Sequence, residues 1–124
     1  MIKIAKLSNE LKFQRVCVLS AISIFVLIVV LGSLPGARED AGHYAPGLVL
    51  HSIAYAVLAL LVFLGSSGGG IRRGIQATLT VAAMGALDES VQSFFPYRSA
   101  AVTDWMVDVA AAALVSALLW KFWQ

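Results

Sequence analysis

Four long apolar segments make up most of the chain and limit what it can fold into. They cover residues 16–34, 48–64, 74–95 and 101–123. A helix needs about 20 mostly apolar residues to cross the hydrocarbon core of a bilayer, so each segment can cross it with a modest tilt. Of the 124 residues, 60% are hydrophobic and 13% are charged, which is not the composition of a soluble domain. The sequence therefore predicts one all-α membrane domain, residues 1–124, with four transmembrane helices in a compact bundle.

The segment before and within the first apolar run has two features of its own. Basic residues precede the run, as in a secretory signal peptide, but its apolar core is longer than the roughly 7–15 residues typical of one. We therefore expect an anchor that stays attached. Residues 2–13 mix apolar and charged side chains, which predicts a short helix lying on the inner membrane surface.

Basic residues are distributed unevenly among the connections. Arg38 and Arg98 fall on one side of the predicted membrane. The other side receives seven: Lys3, Lys6, Lys12, Arg15, Arg72, Arg73 and Lys121. Since cytoplasmic loops of membrane proteins carry the excess of lysine and arginine, both termini are predicted to be cytoplasmic. This topology accounts for the net charge of +2, so the charge does not indicate a nucleic-acid partner.

Three of the predicted helices carry polar residues four positions apart. The pairs are His51 and Tyr55, Asp88 and Gln92, and Asp104 and Asp108. Residues at this spacing share one helix face, and the predicted topology places all three pairs in the outer half of the membrane. A charged side chain within a span costs roughly 2.5–3.5 kcal/mol near the bilayer centre. We therefore expect the three stripes to turn toward one another and form an outward-facing polar site.

Acidic residues outnumber basic ones in this region. The ionisable groups are Asp88, Glu89, Asp104, Asp108, Arg98 and His51. Either some carboxyl groups are protonated through desolvation and repulsion, or a cation or cationic ligand completes the site. The side chains could supply ligands for a divalent cation, but no short histidine or cysteine spacing supports a metal. The sequence predicts no metal site and leaves the cofactor open.

The polar residues also occur in the order and spacing of a known family. The matching positions are His51 with Tyr55, Gly85–Gln92, Pro96-Tyr97-Arg98-Ser99 and Asp104. This pattern, within roughly residues 33–118, resembles the VanZ-like family of small integral membrane proteins. Tyr97 and Asp108 stand where that family usually has glycine and asparagine. The family's named member is associated with low-level resistance to the glycopeptide teicoplanin, so the resemblance implies a multi-pass protein of the bacterial cytoplasmic membrane that acts in the cell envelope.

Each polar residue then has an expected role. The predicted catalytic residues are His51, Asp88, Glu89 and Asp104, and the predicted ligand-binding residues are Tyr55, Gln92, Arg98, Ser99 and Asp108. His51 and one acid would transfer protons, and Asp104 would orient Arg98 or His51. The planar fork of Arg98 suits a carboxylate and a phosphate equally well. The simpler alternative is that the acids are helix-interface charges neutralised by Arg98 and that His51 is a satisfied polar group.

Three functional hypotheses follow. The first is that the site binds or modifies an amphiphilic cell-envelope molecule, either a membrane lipid or a lipid-linked molecule, and contributes to teicoplanin resistance. The second is a non-enzymatic membrane module that shields envelope targets or docks a partner protein. The third, a proton or cation path, needs polar groups that continue inward, and the inner halves offer only Gln76, Thr78, Thr80 and Ser116. It therefore ranks last.

Overall fold

Four α-helices make up the described parts of the chain. The computed structural model describes residues 1–36, 47–96 and 102–123, and within these ranges there is no strand. The helices are α1 (Ile2–Ser33), α2 (Gly47–Gly65), α3 (Gly70–Gln92) and α4 (Val102–Trp123). The predicted all-α class is confirmed. By length and composition, α1 and α4 are able to cross a membrane, and Val49–Gly65 is a shorter apolar helix.

Helix α1 differs from its prediction. It is one continuous helix of 32 residues, so the expected separate surface helix over residues 2–13 is wrong. No glycine or proline occurs between Ile2 and Leu31, so no residue there forces a break in the backbone. At 1.5 Å per residue α1 is about 48 Å long, against about 30 Å for the hydrocarbon core. Residues 1–13 are all exposed, and they extend beyond the packed part of the bundle.

The end of α3 also differs from its prediction. The third apolar segment was expected to stay helical to Phe95, but α3 ends at Gln92. The backbone N–H groups of Phe94 and Phe95 instead donate to carbonyls three residues back, those of Val91 and Gln92. Pro96 explains this, because a proline disfavours helical geometry in the residue before it. The effect spreads back through the last turn, which tightens before the chain leaves the helix.

Helix α2 is the centre of the bundle. It packs against all three other helices, and the remaining contacts join α3 to α4 and α1 to α3. Tyr55, Leu58, Ala59 and Phe63 of α2 are completely buried. Large apolar side chains are exposed along the outside of α1, α3 and α4, whereas Asp88, Gln92, Asp108 and Ser116 are buried. Apolar side chains therefore face outward and polar side chains face inward, which is the distribution expected of a protein surrounded by lipid.

One end of the bundle gathers most of the basic residues. The Gln14 side-chain amide of α1 donates to the Ser66 carbonyl at 3.2 Å, and the Arg73 guanidinium lies 4.6 Å from the centre of the Trp123 ring. The first part of α1, the connection between α2 and α3 and the last turn of α4 therefore meet. We call residues 1–15, 65–73 and 120–123 the basic end. It holds all seven of the basic residues that the sequence predicts for one side of the membrane.

Gly65 is predicted to be essential for docking α1 onto α2. A Cβ atom at this position would lie 2.8 Å from Val18 Cγ2 and 3.2 Å from the Gln14 carbonyl oxygen, and the carbonyl is backbone that cannot turn away. Gly65→Ala is expected to lower the free energy of unfolding by about 1–3 kcal/mol, measured by SDS titration of the protein in mixed micelles. Gly74→Ala is the control, because its methyl group would meet neighbours only at 3.7 Å or more. That change should be neutral or stabilising; equal losses for both variants would contradict the proposed close approach.

Candidate functional site

Polar side chains from three helices meet at the end of the bundle opposite the basic end. We call this group the polar cluster: His51 and Tyr55 of α2, Asp88 and Gln92 of α3, and Asp108 of α4. Tyr55, Asp88, Gln92 and Asp108 are at most 2% exposed, whereas 16% of the His51 side chain remains exposed. His51 is therefore the member of the polar cluster that a molecule outside the bundle can reach.

Two short hydrogen bonds connect α2 to the other helices of the cluster. His51 Nδ1 lies 2.9 Å from Asp108 Oδ1, and the Tyr55 hydroxyl donates to Asp88 Oδ2 at 2.9 Å. When Asp108 is ionised, its carboxylate only accepts, and the hydrogen bond is then donated by a proton on His51 Nδ1. In that state Nε2 of the neutral ring has the free lone pair.

The rings of His51 and Tyr55 lie parallel on one face of α2. Their centroids are 5.8 Å apart, and their planes differ by 2°. The i,i+4 spacing produces this arrangement, because residues four apart stand above one another on a helix. One face of α2 therefore presents two hydrogen-bonding groups at successive turns, each held by an acid from a different helix.

Gly85 allows α4 to approach α3 beside the polar cluster. A Cβ atom there would lie 3.1 Å from both Asp108 Oδ2 and Trp105 Cδ1. The Trp105 indole N–H donates to the Ala82 carbonyl oxygen at 2.8 Å, which ties α4 to α3 one turn from the glycine. The missing side chain at position 85 thus makes room for Asp108 to reach His51.

Each buried acid of the cluster has one bonded and one unbonded oxygen. Among the described residues, no group donates to Asp88 Oδ1, Asp108 Oδ2 or Gln92 Oε1. A buried acceptor without a donor is costly, so these three atoms are where the cluster can take up a proton or a donor group. Within the same ranges, no three His, Cys, Asp or Glu side chains are grouped so as to hold a metal ion.

The structure brings together five of the nine predicted site residues, namely those of the polar cluster. Glu89, the neighbour of Asp88, and Asp104, one turn before Asp108, are both half-buried. Arg98 and Ser99 lie outside the described residues. His51 Nδ1 is held by Asp108, a predicted ligand-binding residue, whereas the residue predicted to orient His51 or Arg98 is Asp104.

Two contributors to the site were absent from the predicted set. Gly85 and Trp105 shape the contact between α3 and α4. Each precedes a buried acid by three positions, Asp88 and Asp108 respectively, and so lies on the same helix face. That spacing was a usable signal, since a residue three positions from a buried acid lies on the same helix face as the acid.

Comparisons with known proteins add no family assignment. No protein-family model, curated protein or solved structure matches the chain. The likeness to the VanZ-like family therefore rests on the sequence pattern alone.

Proposed function

We propose that the chain is a VanZ-like protein of the bacterial cytoplasmic membrane whose polar cluster faces outward and binds or modifies an amphiphilic cell-envelope molecule. The observation that carries this proposal is the pairing of a partly exposed histidine with a fully buried aspartate, His51 with Asp108. A buried carboxylate on Nδ1 orients the ring, and it stabilises the imidazolium that forms when Nε2 accepts a proton. This is the arrangement of a general base.

Four membrane spans with both termini in the cytoplasm are part of the proposal. Helices α2 and α3 have 19 and 23 residues, or about 28 and 34 Å, close to the thickness of the hydrocarbon core. Asp88 and Glu89 lower the hydropathy of α3, but Asp88 is buried inside the bundle and Glu89 is half-buried. The clustering of seven basic residues at the basic end supports a cytoplasmic position for that end and an outward position for the polar cluster.

The ligand class follows from depth and charge. A site near the outer surface of the membrane, reached beside exposed apolar helix faces, suits a molecule with a hydrocarbon tail and a polar head. Arg98 and Ser99, which the sequence places between α3 and α4, are proposed to hold an anionic group of that head. His51 would then take a proton from a hydroxyl or amine of the bound molecule and return it to the leaving or product group.

The test is a comparison of variants in a teicoplanin-susceptible Gram-positive host. Wild-type protein is expected to raise the minimum inhibitory concentration of teicoplanin, and His51→Ala and Asp108→Ala should return it to that of the host without the gene. Thr78→Val is the matched control, since it removes a polar group far from the cluster, the hydroxyl that contacts Ser116. Membrane levels of all variants are matched by immunoblot. Full resistance with His51→Ala would exclude His51 as the acting group.

Mass spectrometry of the envelope lipids separates binding from modification. If His51 acts as a general base, a lipid species should change between cells with wild-type protein and cells with His51→Ala, because losing such a base slows the step by about 10²–10⁴-fold. If the protein only binds, the lipid profile stays the same and the purified wild-type protein retains a lipid that His51→Ala loses.

The second candidate is the non-enzymatic module, and one observation favours it. Every described hydrogen bond of the polar cluster joins two different helices, and both acids are buried beyond the reach of a ligand. Such bonds fix which helices pair and at what depth. If this second candidate is right, the loss of teicoplanin resistance in His51→Ala and Asp108→Ala should be proportional to their loss of folding stability.

A further inference from the structure

A groove of about 500 Å³ lies between α3 and α4, in the half of the bundle next to the basic end. Gly70, Gly74 and Leu79 line it on α3, and Ala113, Ala117 and Trp120 line it on α4. Its volume falls within the range of about 300–1,000 Å³ that is usual for ligand sites. The two hydroxyl groups along it, those of Thr78 and Ser116, lie 3.3 Å apart and bond to each other, so the groove offers a ligand mainly apolar surface.

The length of the groove matches one leaflet of a bilayer. From Gly70 to Leu79 the α3 axis rises about 13 Å, and half of the hydrocarbon core is about 15 Å thick. The groove therefore runs from the basic end to near the middle of the membrane. An acyl chain covers the same depth, from the headgroup to the middle of the bilayer.

Two exposed basic residues are next in sequence to groove residues at the mouth of the groove, the end nearest the basic end. Arg72 follows Gly70 and Ile71, Lys121 follows Trp120, and both are exposed. Arg73 is already engaged, because its guanidinium lies over Trp123 and donates to the Gly68 and Phe63 carbonyls. Between residues 65 and 87 and between 109 and 123 the sequence has no acidic residue. The mouth is therefore complementary to an anionic group.

We infer that this groove binds an acyl chain of an anionic phospholipid, with the lipid phosphate paired to Arg72 and Lys121. The inference rests on the membrane embedding proposed above, but not on the chemistry of the polar cluster. A second copy of the chain fits the groove less well. Helix dimers use exposed faces of small residues, whereas a Cβ on Gly70 would lie 2.8 Å from Trp120 Cδ1. Gly70 therefore already serves a close contact within the bundle.

The test is native mass spectrometry of the full chain in mild detergent with dioleoyl phosphatidylglycerol or dioleoyl phosphatidylcholine at equal concentration. The wild-type protein should retain the anionic lipid better by on the order of tenfold, given two cations at the headgroup. Ala117→Leu fills the groove from an exposed position and should lose most retention of both lipids. Ala110→Leu, exposed on the same helix but outside the groove, should bind as the wild type does.

Two further variants separate the contribution of the lipid headgroup from that of the acyl chain, and the groove from the polar cluster. The double variant Arg72→Gln with Lys121→Gln should keep the acyl chain but lose the preference for the anionic lipid. Retention of the added phosphatidylglycerol should be unchanged in His51→Ala, even where that variant loses a copurified lipid held by the polar cluster, and this difference distinguishes the groove from the polar cluster. Circular dichroism confirms equal helix content in all variants. Equal retention of the two lipids by the wild type, unchanged retention in Ala117→Leu, or a loss of dimer rather than of lipid in that variant would each overturn the inference.

Discussion

Gly85→Leu is expected to lower the free energy of unfolding by about 3 kcal/mol and to take the polar cluster apart. A side chain at position 85 points at Asp108 and Trp105, which already lie 3.1 Å from where its first carbon would be. Overpacking of this kind costs about 1–3 kcal/mol. Separating α4 from α3 also weakens the His51–Asp108 and Trp105–Ala82 hydrogen bonds, at about 1 kcal/mol each. Leucine has a higher helix propensity than glycine, which offsets less than about 1 kcal/mol of this loss.

Ala86→Leu is the matched control for this substitution. Ala86 is the next residue of the same helix and is exposed, so a leucine side chain there extends away from the bundle. The two variants are compared by SDS titration in mixed micelles, with helix content and tryptophan fluorescence as readouts. Tryptophan fluorescence, to which Trp105 contributes together with Trp120 and Trp123, should change only in Gly85→Leu. If both variants unfold at the same SDS fraction, α3 and α4 do not approach at Gly85 as described.

The helix content could be predicted from the sequence because length and hydropathy decide it. Four apolar runs separated by glycine-rich or proline-containing segments leave few alternatives. The boundaries were less accurate for local reasons. Pro96 ends α3 at Gln92 rather than at Phe95, and residues 2–13 continue α1 because helical periodicity does not end where hydropathy falls. Hydropathy measures whether a residue prefers water or an apolar solvent. It does not report the backbone geometry that decides where a helix begins and ends.

The polar cluster was predictable as a group but not as a set of pairs. The i,i+4 spacings placed His51, Tyr55, Asp88, Gln92 and Asp108 on facing stripes. The structure joins four of them by hydrogen bonds and buries Gln92 on the same helix as Asp88. Which acid bonds which ring depends on the rotation and depth of each helix. Tertiary contacts such as the one at Gly85 set this rotation and depth. If α4 were shifted along its axis by one turn, Asp104 would take the place of Asp108 opposite His51. The spacing of residues in the sequence shows which of them share a helix face, but it does not show how far one helix is shifted along its axis relative to the next.

The exposed apolar surface and the buried acids support each other as indications of a membrane setting. In water, the exposed leucine, isoleucine and valine side chains along α1 would form a patch far larger than monomeric soluble proteins carry. In lipid, the same surface is the solvated one, and Asp88 and Asp108 must turn inward. The bundle therefore needs its internal hydrogen bonds, because contact between apolar helices gains little over contact with lipid.

Tyr55→Phe is expected to cost about 2 kcal/mol, and adding Asp88→Leu is expected to recover most of that loss. The single change removes the donor to Asp88 Oδ2, and no described residue donates to the other oxygen, so a fully buried carboxylate loses its described hydrogen bond. Hydrogen bonds to charged groups are worth about 1.5–3 kcal/mol in soluble proteins. Bonds between membrane helices reach about 1.7 kcal/mol at most, because helices separated in the membrane also find partners. Replacing both groups leaves no unpaired charge.

The same double variant separates the two proposed functions. The unfolding free energies of the wild type, both single variants and the double variant form a thermodynamic cycle, and its coupling energy should be about 2 kcal/mol. Additive effects would mean that Tyr55 and Asp88 do not act as a pair. Teicoplanin resistance is then measured in the double variant at near-native stability. A module that needs the cluster only to hold its helices should protect cells as the wild type does. If Asp88 takes part in binding or proton transfer, resistance should be lost although the fold is intact, because leucine can neither accept a hydrogen bond nor exchange a proton.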